Sequence, residues 1–183
     1  MPPNGLCLLG SFNLVEYITA DKQFNRLQFK SDMFAMVEAY DNIFERSVYA
    51  LPQHKEEAQS KRRMGIGLTG IASAIEYMLG KASYGSAEFN NVFEDICCEM
   101  RDSAYEASIG LAKKRGSFAK FKVTKYMKSA FVKTLPKHIR DGIKQYGIRN
   151  SHLLSFAPCG TISQTVGNVS SGVEPLFFHN PHL

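Results

Sequence analysis

The chain has no tryptophan, only four cysteines and seven prolines, and no long apolar run. Each scarcity removes a class of protein. Cys7, Cys97, Cys98 and Cys159 form no Cys-x-x-Cys pair and have no histidine at metal-ligand spacing, which argues against a structural zinc site. Four cysteines in 183 residues are also too few for a disulfide scaffold. No stretch approaches the roughly 18 to 20 apolar residues that span a bilayer. The opening Met1-Pro2-Pro3-Asn4-Gly5 lacks the basic and apolar regions of a signal peptide. Glycine and proline are scattered, which sets aside collagen-like and low-complexity chains. What remains, 44% hydrophobic and 21% charged, reads as one cytoplasmic globular piece, α/β or mostly helical.

The balance of 22 Lys and Arg against 17 Asp and Glu gives a formal charge of +5. Lys61-Arg62-Arg63, Lys113-Lys114-Arg115 and the single lysines from Lys120 to Lys144 fall near expected helix ends, where cations complement the helix dipole. No zinc-finger or aromatic-basic RNA-binding signature accompanies them. They read as solvated surface, and nucleic acid is set aside as a partner.

The apolar spacing predicts mostly helices. Leu6 to Val15 reads as a short extended stretch leading into a turn. Ser31 or Asp32 is expected to cap a helix with Met33, Val37, Tyr40, Phe44 and Val48 on its apolar face, ended by Leu51-Pro52. A polar connection, Gln53 to Lys61, follows. A small-residue helix is expected from Ile71 to Leu79, stopped by Gly80. A long one starts at Ser86 and stops at Lys113-Lys114-Arg115-Gly116. Shorter helices are expected over Thr124 to Val132 and from Pro136 to Gly147. Leu153 to Ala157 reads as a buried strand feeding a polar loop that runs to Pro175. No repeat or linker divides the chain, so residues 1–183 are expected to be part of a single domain.

Three features invite a functional reading. Gly65-x-Gly67-x-x-Gly70 has dinucleotide-fingerprint spacing, but the charged run before it is no apolar strand. A tight bend with close helix packing is the preferred reading. Ala157-Pro158-Cys159-Gly160-Thr161-Ile162-Ser163 would present consecutive backbone N–H groups and two hydroxyls, a phosphate cradle. A capping turn explains the same residues, and on the residues alone the two readings stand level. Cys7 has nothing around it that would lower its thiol pKa. His152 and His179 have no nucleophile at a telling spacing.

Four segments together resemble the catalytic subunits of ribonucleotide reductases. They are Pro2-Pro3-x-Gly5-x-Cys7-Leu8-Leu9-Gly10-Ser11-x-Asn13-Leu14, Arg62-Arg63-x-Gly65-x-Gly67-x-x-Gly70, Arg149-Asn150-Ser151-His152, and Ala157 to Ser163 continued by Gly167-Asn168-x-Ser170-Ser171-Gly172-x-Glu174-Pro175. The resemblance is closest to the adenosylcobalamin-dependent branch. It implies a partial ten-stranded α/β barrel, helix-rich in this portion. It also implies reduction of the ribose 2′-carbon of ribonucleotides by thiyl-radical chemistry. Cys7 would be one of two thiols that become a disulfide. Ala157, Pro158, Cys159, Gly160, Thr161, Ile162 and Ser163 would hold the substrate phosphates.

The same resemblance implies adenosylcobalamin as cofactor, or else a radical supplied by a separate metal-containing subunit. No residue here is assigned to a metal. Implied partners are the ribonucleotide, a thioredoxin-like reductant and a complementing chain. That chain would carry the upstream part, because the family's radical cysteine lies in an Asn-x-Cys-x-Glu stretch before the segment matching Pro2-Pro3. Cys159 stands where the family has threonine. The alternative is a non-catalytic remnant that binds nucleotide phosphate or a partner chain. Either way, a partial barrel is expected to associate when made alone.

Overall fold

The structure, a computed structural model, describes residues 3–81 and 83–176. Pro2, Phe177, Phe178 and His179 lie outside them. In chain order the elements are β1 (Leu8–Asn13), a 3-10 turn (Leu14–Tyr17), α1 (Arg26–Arg46), α2 (Pro52–Lys61), β2 (Met64–Thr69), α3 (Ile71–Leu79), α4 (Ala87–Arg115), α5 (Val123–Tyr126), α6 (Ala130–Thr134), α7 (Lys137–Tyr146) and α8 (Gly160–Thr165).

The helix-rich α/β character expected from the sequence is there. Among the described residues, however, the named strands are only β1 and β2, paired in a two-stranded sheet. The strand expected over Leu153 to Ala157 does not form as one. It is an extended segment anchored by two backbone bonds, Met64 N–H to His152 O and Ser155 N–H to Ile66 O. Of its residues only Leu153 is buried.

Caps explain where helices were placed well and where they were not. α3 runs over the expected residues because Gly80, at φ 68°, turns the chain out of the helix. α4 starts where Ser86 Oγ accepts the Phe89 N–H at 3.1 Å and ends at Gly116. α1 begins before Ser31, because Asn25 Oδ1 accepts the Gln28 N–H and caps it there. Pro52 does not end that helix. It opens α2 at a first-turn position that needs no N–H, so the expected polar connection is helical. The helix expected over Thr124 to Val132 is broken into α5 and α6.

The described contacts gather into two compact units. The first comprises Met1–Leu8, Ser31–Gly65 and Met100–Leu154. Its interior holds Met33, Val37 and Phe44 of α1, Met100, Ala104 and Leu111 of α4, and Ile139 and Ile143 of α7. Gly142 lets α7 lie close to α4, since a Cβ there would meet Ile109 Cδ1 at 3.3 Å. The second comprises Leu9–Lys30, Ile66–Glu99 and Ser155–Leu183. Ile66, Leu68, Ile71 and Ile75 are fully buried in it, each adding about 1.5 to 3 kcal/mol. Phe12, Tyr17 and Phe24 surround Phe29 with ring centroids 5.1 to 5.3 Å away.

Candidate functional site

In the second unit, the loop flagged from the sequence forms a sharp turn at the start of α8. Helical geometry leaves the N–H groups of Gly160, Thr161 and Ile162 without an intrahelical acceptor. No other acceptor among the described residues takes them. All three residues are exposed, as is Pro158, and Ala157 is half-buried. The turn therefore offers outward-facing donors, which is what an anionic oxygen requires.

The side chains divide differently from the expectation of two available hydroxyls. Thr161 is exposed, whereas Ser163 is buried and its hydroxyl donates to Gly160 O at 2.9 Å. Ser163 N–H is likewise held by Cys159 O at 2.7 Å. Cys159 is buried, with Sγ 3.1 Å from Ser11 Oγ and 3.4 Å from Ala157 O. The cysteine in place of threonine thus occupies an inward position and bonds the scaffold.

That scaffold is assembled from distant parts of the sequence. Asn13, at the end of β1, donates from Nδ2 to Val166 O at 3.2 Å and so holds the far end of α8. A Cβ on Gly67 would lie 2.4 Å from Ser155 O and 3.1 Å from Ser11 Oγ. The glycine admits the chain that leads into the turn. Gly70 adopts φ 75° and serves as N-cap of α3 with no side chain to offer. Ser170 supplies what Gly70 lacks: its Oγ accepts the Ala72 N–H at 3.1 Å, and its carbonyl accepts from Gly70 N–H and Thr69 Oγ1.

Glu174 closes the loop. Its carboxylate accepts the N–H groups of Ser171 at 2.7 Å and Gly172 at 2.9 Å. Burial pushes this carboxyl up, and those backbone donors outweigh it, leaving its pKa below the ordinary glutamate value. Ser171 O in turn accepts the Cys159 N–H. The glycines of the Gly-x-Gly-x-x-Gly stretch therefore belong to a buried strand and a helix cap. The expected bend is present at Gly70; the close approach at Gly67 is to an extended segment instead of a helix.

In the first unit, Cys7 is half-buried, its Sγ 3.8 Å from Leu8 O. Burial raises its thiol pKa and the nearby Arg63 partly offsets this, so the group is a neutral S–H at pH 7. Such a thiol is suited to giving up hydrogen, and less to acting as a thiolate nucleophile. His152 is exposed and its pKa is lowered by partial burial, Arg63 and Lys61, which keeps the ring neutral at pH 7.

The same unit holds a charge centre that sequence reading missed. Asp41 is fully buried in α1 and takes Arg62 at 2.8 Å, Arg115 at 2.9 Å and Arg149 at 3.0 Å. Glu45 adds pairs to Arg62 and Arg149. Arg149 also donates to the carbonyls of Arg115 and Gly116, closing the end of α4. Asn150 donates to Arg62 O and accepts from Ser108 Oγ. Arg62, read above as solvated surface, is 4% exposed. A signal existed: Asp41 continues the stripe of Met33 and Val37 at the next helical step toward Phe44.

The family described as ribonucleotide reductase, barrel domain, matches residues 2–180. The chain belongs to this ribonucleotide reductase family. The ribonucleoside-diphosphate reductase subunit alpha of Chlamydia pneumoniae is 29% identical over 197 residues, covering 95% of this chain and 18% of that protein. The corresponding subunit of Enterobacteria phage T4 is 30% identical over 188 residues, covering 93% and 24%. A vitamin B12-dependent ribonucleoside-diphosphate reductase of Mycobacterium tuberculosis is 29% identical over 175 residues, covering 96% and 22%. The chain thus spans about a fifth of the length of the curated relatives it matches. The ribonucleotide reductase match runs through both compact units without a break.

Proposed function

We propose that this chain is a portion of a ribonucleoside-diphosphate reductase catalytic chain, a part of one catalytic barrel domain, that holds substrate phosphate and supplies one of the two reducing thiols. One observation carries the reading. Three of the matched segments, far apart in sequence, converge on the α8 turn, where Ser11, Asn13, Gly67, Ser170 and Glu174 fix donors that face outward. Ala157 to Ser163 line that turn, with Gly160, Thr161 and Ile162 giving N–H donors and Thr161 a hydroxyl. Cys159 and Ser163 hold its shape from within.

In the reaction, the ribose 2′-carbon loses its hydroxyl as water and gains a hydrogen. Two thiols supply the electron pair and hydrogens as they close to a disulfide. Cys7 is one of these thiols, and burial keeps it in the protonated form the step consumes. A thioredoxin-like dithiol resets the disulfide. The second reducing thiol and the radical cysteine come from the upstream remainder of the domain, on the same or a complementing chain. Among the described residues no group of three or more His, Cys, Asp or Glu could hold a metal, so these residues do not fit a metal centre of their own. Relatives named for vitamin B12 and relatives named simply as subunit alpha match over the same span. The radical source is therefore either adenosylcobalamin or a separate metal-containing subunit.

The test is reduction of a ribonucleoside diphosphate by the chain complemented with an upstream segment bearing Asn-x-Cys-x-Glu. Turnover is expected with one of the two radical sources. Cys7→Ser should abolish turnover driven by a thioredoxin-like dithiol while diphosphate binding by calorimetry stays unchanged. Diphosphate binding without reduction under every complementation would leave the phosphate-binding remnant as the better description.

A further inference from the structure

Cys7 and Arg63 are the residues immediately before β1 and β2. The two strands run in parallel: Leu8 N–H donates to Arg63 O at 3.2 Å, and further along a Cβ on Gly67 would stand 3.1 Å from Ser11 Oγ. In a parallel ladder an N–H reaches the carbonyl one residue before its opposite number, so Leu8 lies opposite Met64 and Cys7 opposite Arg63. Opposite residues of paired strands send their side chains to the same face, with the strands about 4.8 Å apart. The Arg63 side chain is 11% exposed, and its charge acts on both the Cys7 thiol and the His152 ring. Glu57 of α2 holds it loosely: Lys61 takes the same carboxylate oxygen at 2.5 Å, Arg63 at 3.6 Å.

The role given to Cys7 above asks two opposite things of its sulfur. While ribose is reduced it has to be a protonated S–H, which burial favours. When the disulfide is opened again, one sulfur has to leave as a thiolate, which burial opposes and a neighbouring cation favours. We propose that Arg63 is a positioning residue for this return step: its guanidinium, beside Cys7, holds the charge on that sulfur as it leaves. A thiolate of an external dithiol attacks the partner sulfur, the S–S bond breaks, and the electron pair departs on Cys7. The dithiol's second thiol then opens the mixed disulfide, and the two protons that the dithiol sheds are regained by the two protein thiols. Arg63 thus directs the incoming thiolate to the sulfur that is not Cys7.

Two rates test this in the intact chain, both followed at Cys7 by peptide mass spectrometry: alkylation by iodoacetamide, and release of mercaptoethanol from a Cys7 mixed disulfide by dithiothreitol. At about pH 8, R63Q should slow both by about threefold or more, whereas R63K should stay within about twofold of the parent. E57Q removes the negative neighbour of Arg63 and should speed both. A merely structural role for this ion pair would not give opposite signs in the two variants. Circular dichroism verifies folding, and E57Q decides if R63Q does not fold. Unchanged rates in folded R63Q, or slower ones in E57Q, would overturn the assignment of Arg63 alone. Dithiol-driven turnover surviving Cys7→Ser would instead remove the role of Cys7, on which the proposal rests.

Discussion

The Asp41 centre and the α8 turn both draw on segments that resemble the reductase pattern, Arg62 and Arg149 in the first case, yet they use opposite materials. At Asp41 the parts are charged side chains saturated by one another around a buried carboxylate, with Arg115 and Glu45 reaching in from the surface. At the turn they are small residues and backbone groups, with three N–H donors left over. A site whose bonds are all spent internally can only hold a fold together. One that keeps unspent donors at the surface has something to offer a ligand. Arg149 and Asn150 belong to the first kind, although their residue types alone would suit catalysis.

Four substitutions sharpen this contrast, and the largest effect is expected in the charge centre. Asp41→Ala removes the buried carboxylate shared by three guanidinium groups, leaving Arg62 and Arg149 with the exposed Glu45 and Arg115 with Glu38, at a cost of about 3 to 5 kcal/mol. Denaturant unfolding measures it; a loss under about 1 kcal/mol would mean that solvent already shares this charge. Gly67→Ala comes next, because its Cβ would stand 2.4 Å from a backbone oxygen that has to move. A penalty of about 1 to 3 kcal/mol is expected, together with weaker diphosphate binding as the turn shifts. A stable variant with normal binding would uncouple the strand from the turn.

Ser170→Ala removes the borrowed cap of α3 and should cost about 1 kcal/mol, read from the melting transition. Glu174→Gln is expected to have the smallest effect and the clearest pH signature. The folded carboxyl has the lower pKa, so the unfolded chain takes up a proton first on acidification. Its contribution is complete above the ordinary glutamate range and is lost as pH falls through the folded value. The protection of the Ser171 and Gly172 amides relative to intrinsic exchange should therefore fall in acid in the parent chain. In the Gln variant that protection should be low already at pH 7 and show little further change from protonation.

How far the sequence could be read follows from what each residue reveals of its surroundings. α3 and α4 were legible because Gly80, Ser86 and Gly116 act locally, within a turn of the helix they bound. α2 was not, since Pro52-Gln53-His54-Lys55-Glu56-Glu57 has no apolar stripe and Pro52 reads equally as a stop or a start. β2 escaped because its glycines and the charged run Lys61-Arg62-Arg63 before it mask the alternation of Met64, Ile66 and Leu68, and it is poor in β-branched residues, though every one of its residues is buried. At the turn, the backbone donors were foreseen from residue type. The inward aim of Cys159 and Ser163 was not, because it depends on Ser11 and on the helical carbonyl of Gly160.

The cap that Ser170 lends to α3 has a consequence for how the chain is made. Donor and acceptor are 98 positions apart, so on the ribosome α3 emerges long before the residue that secures its first turn. Until then Gly70 gives it no side-chain support, and the nascent helix frays at its start. Closing so long a loop is the slow kind of step in folding. The synthesis of residues near 170 is thus the event that completes both α3 and the turn, and a chain stopped short of it would emerge with α3 frayed at its start and the turn unclosed.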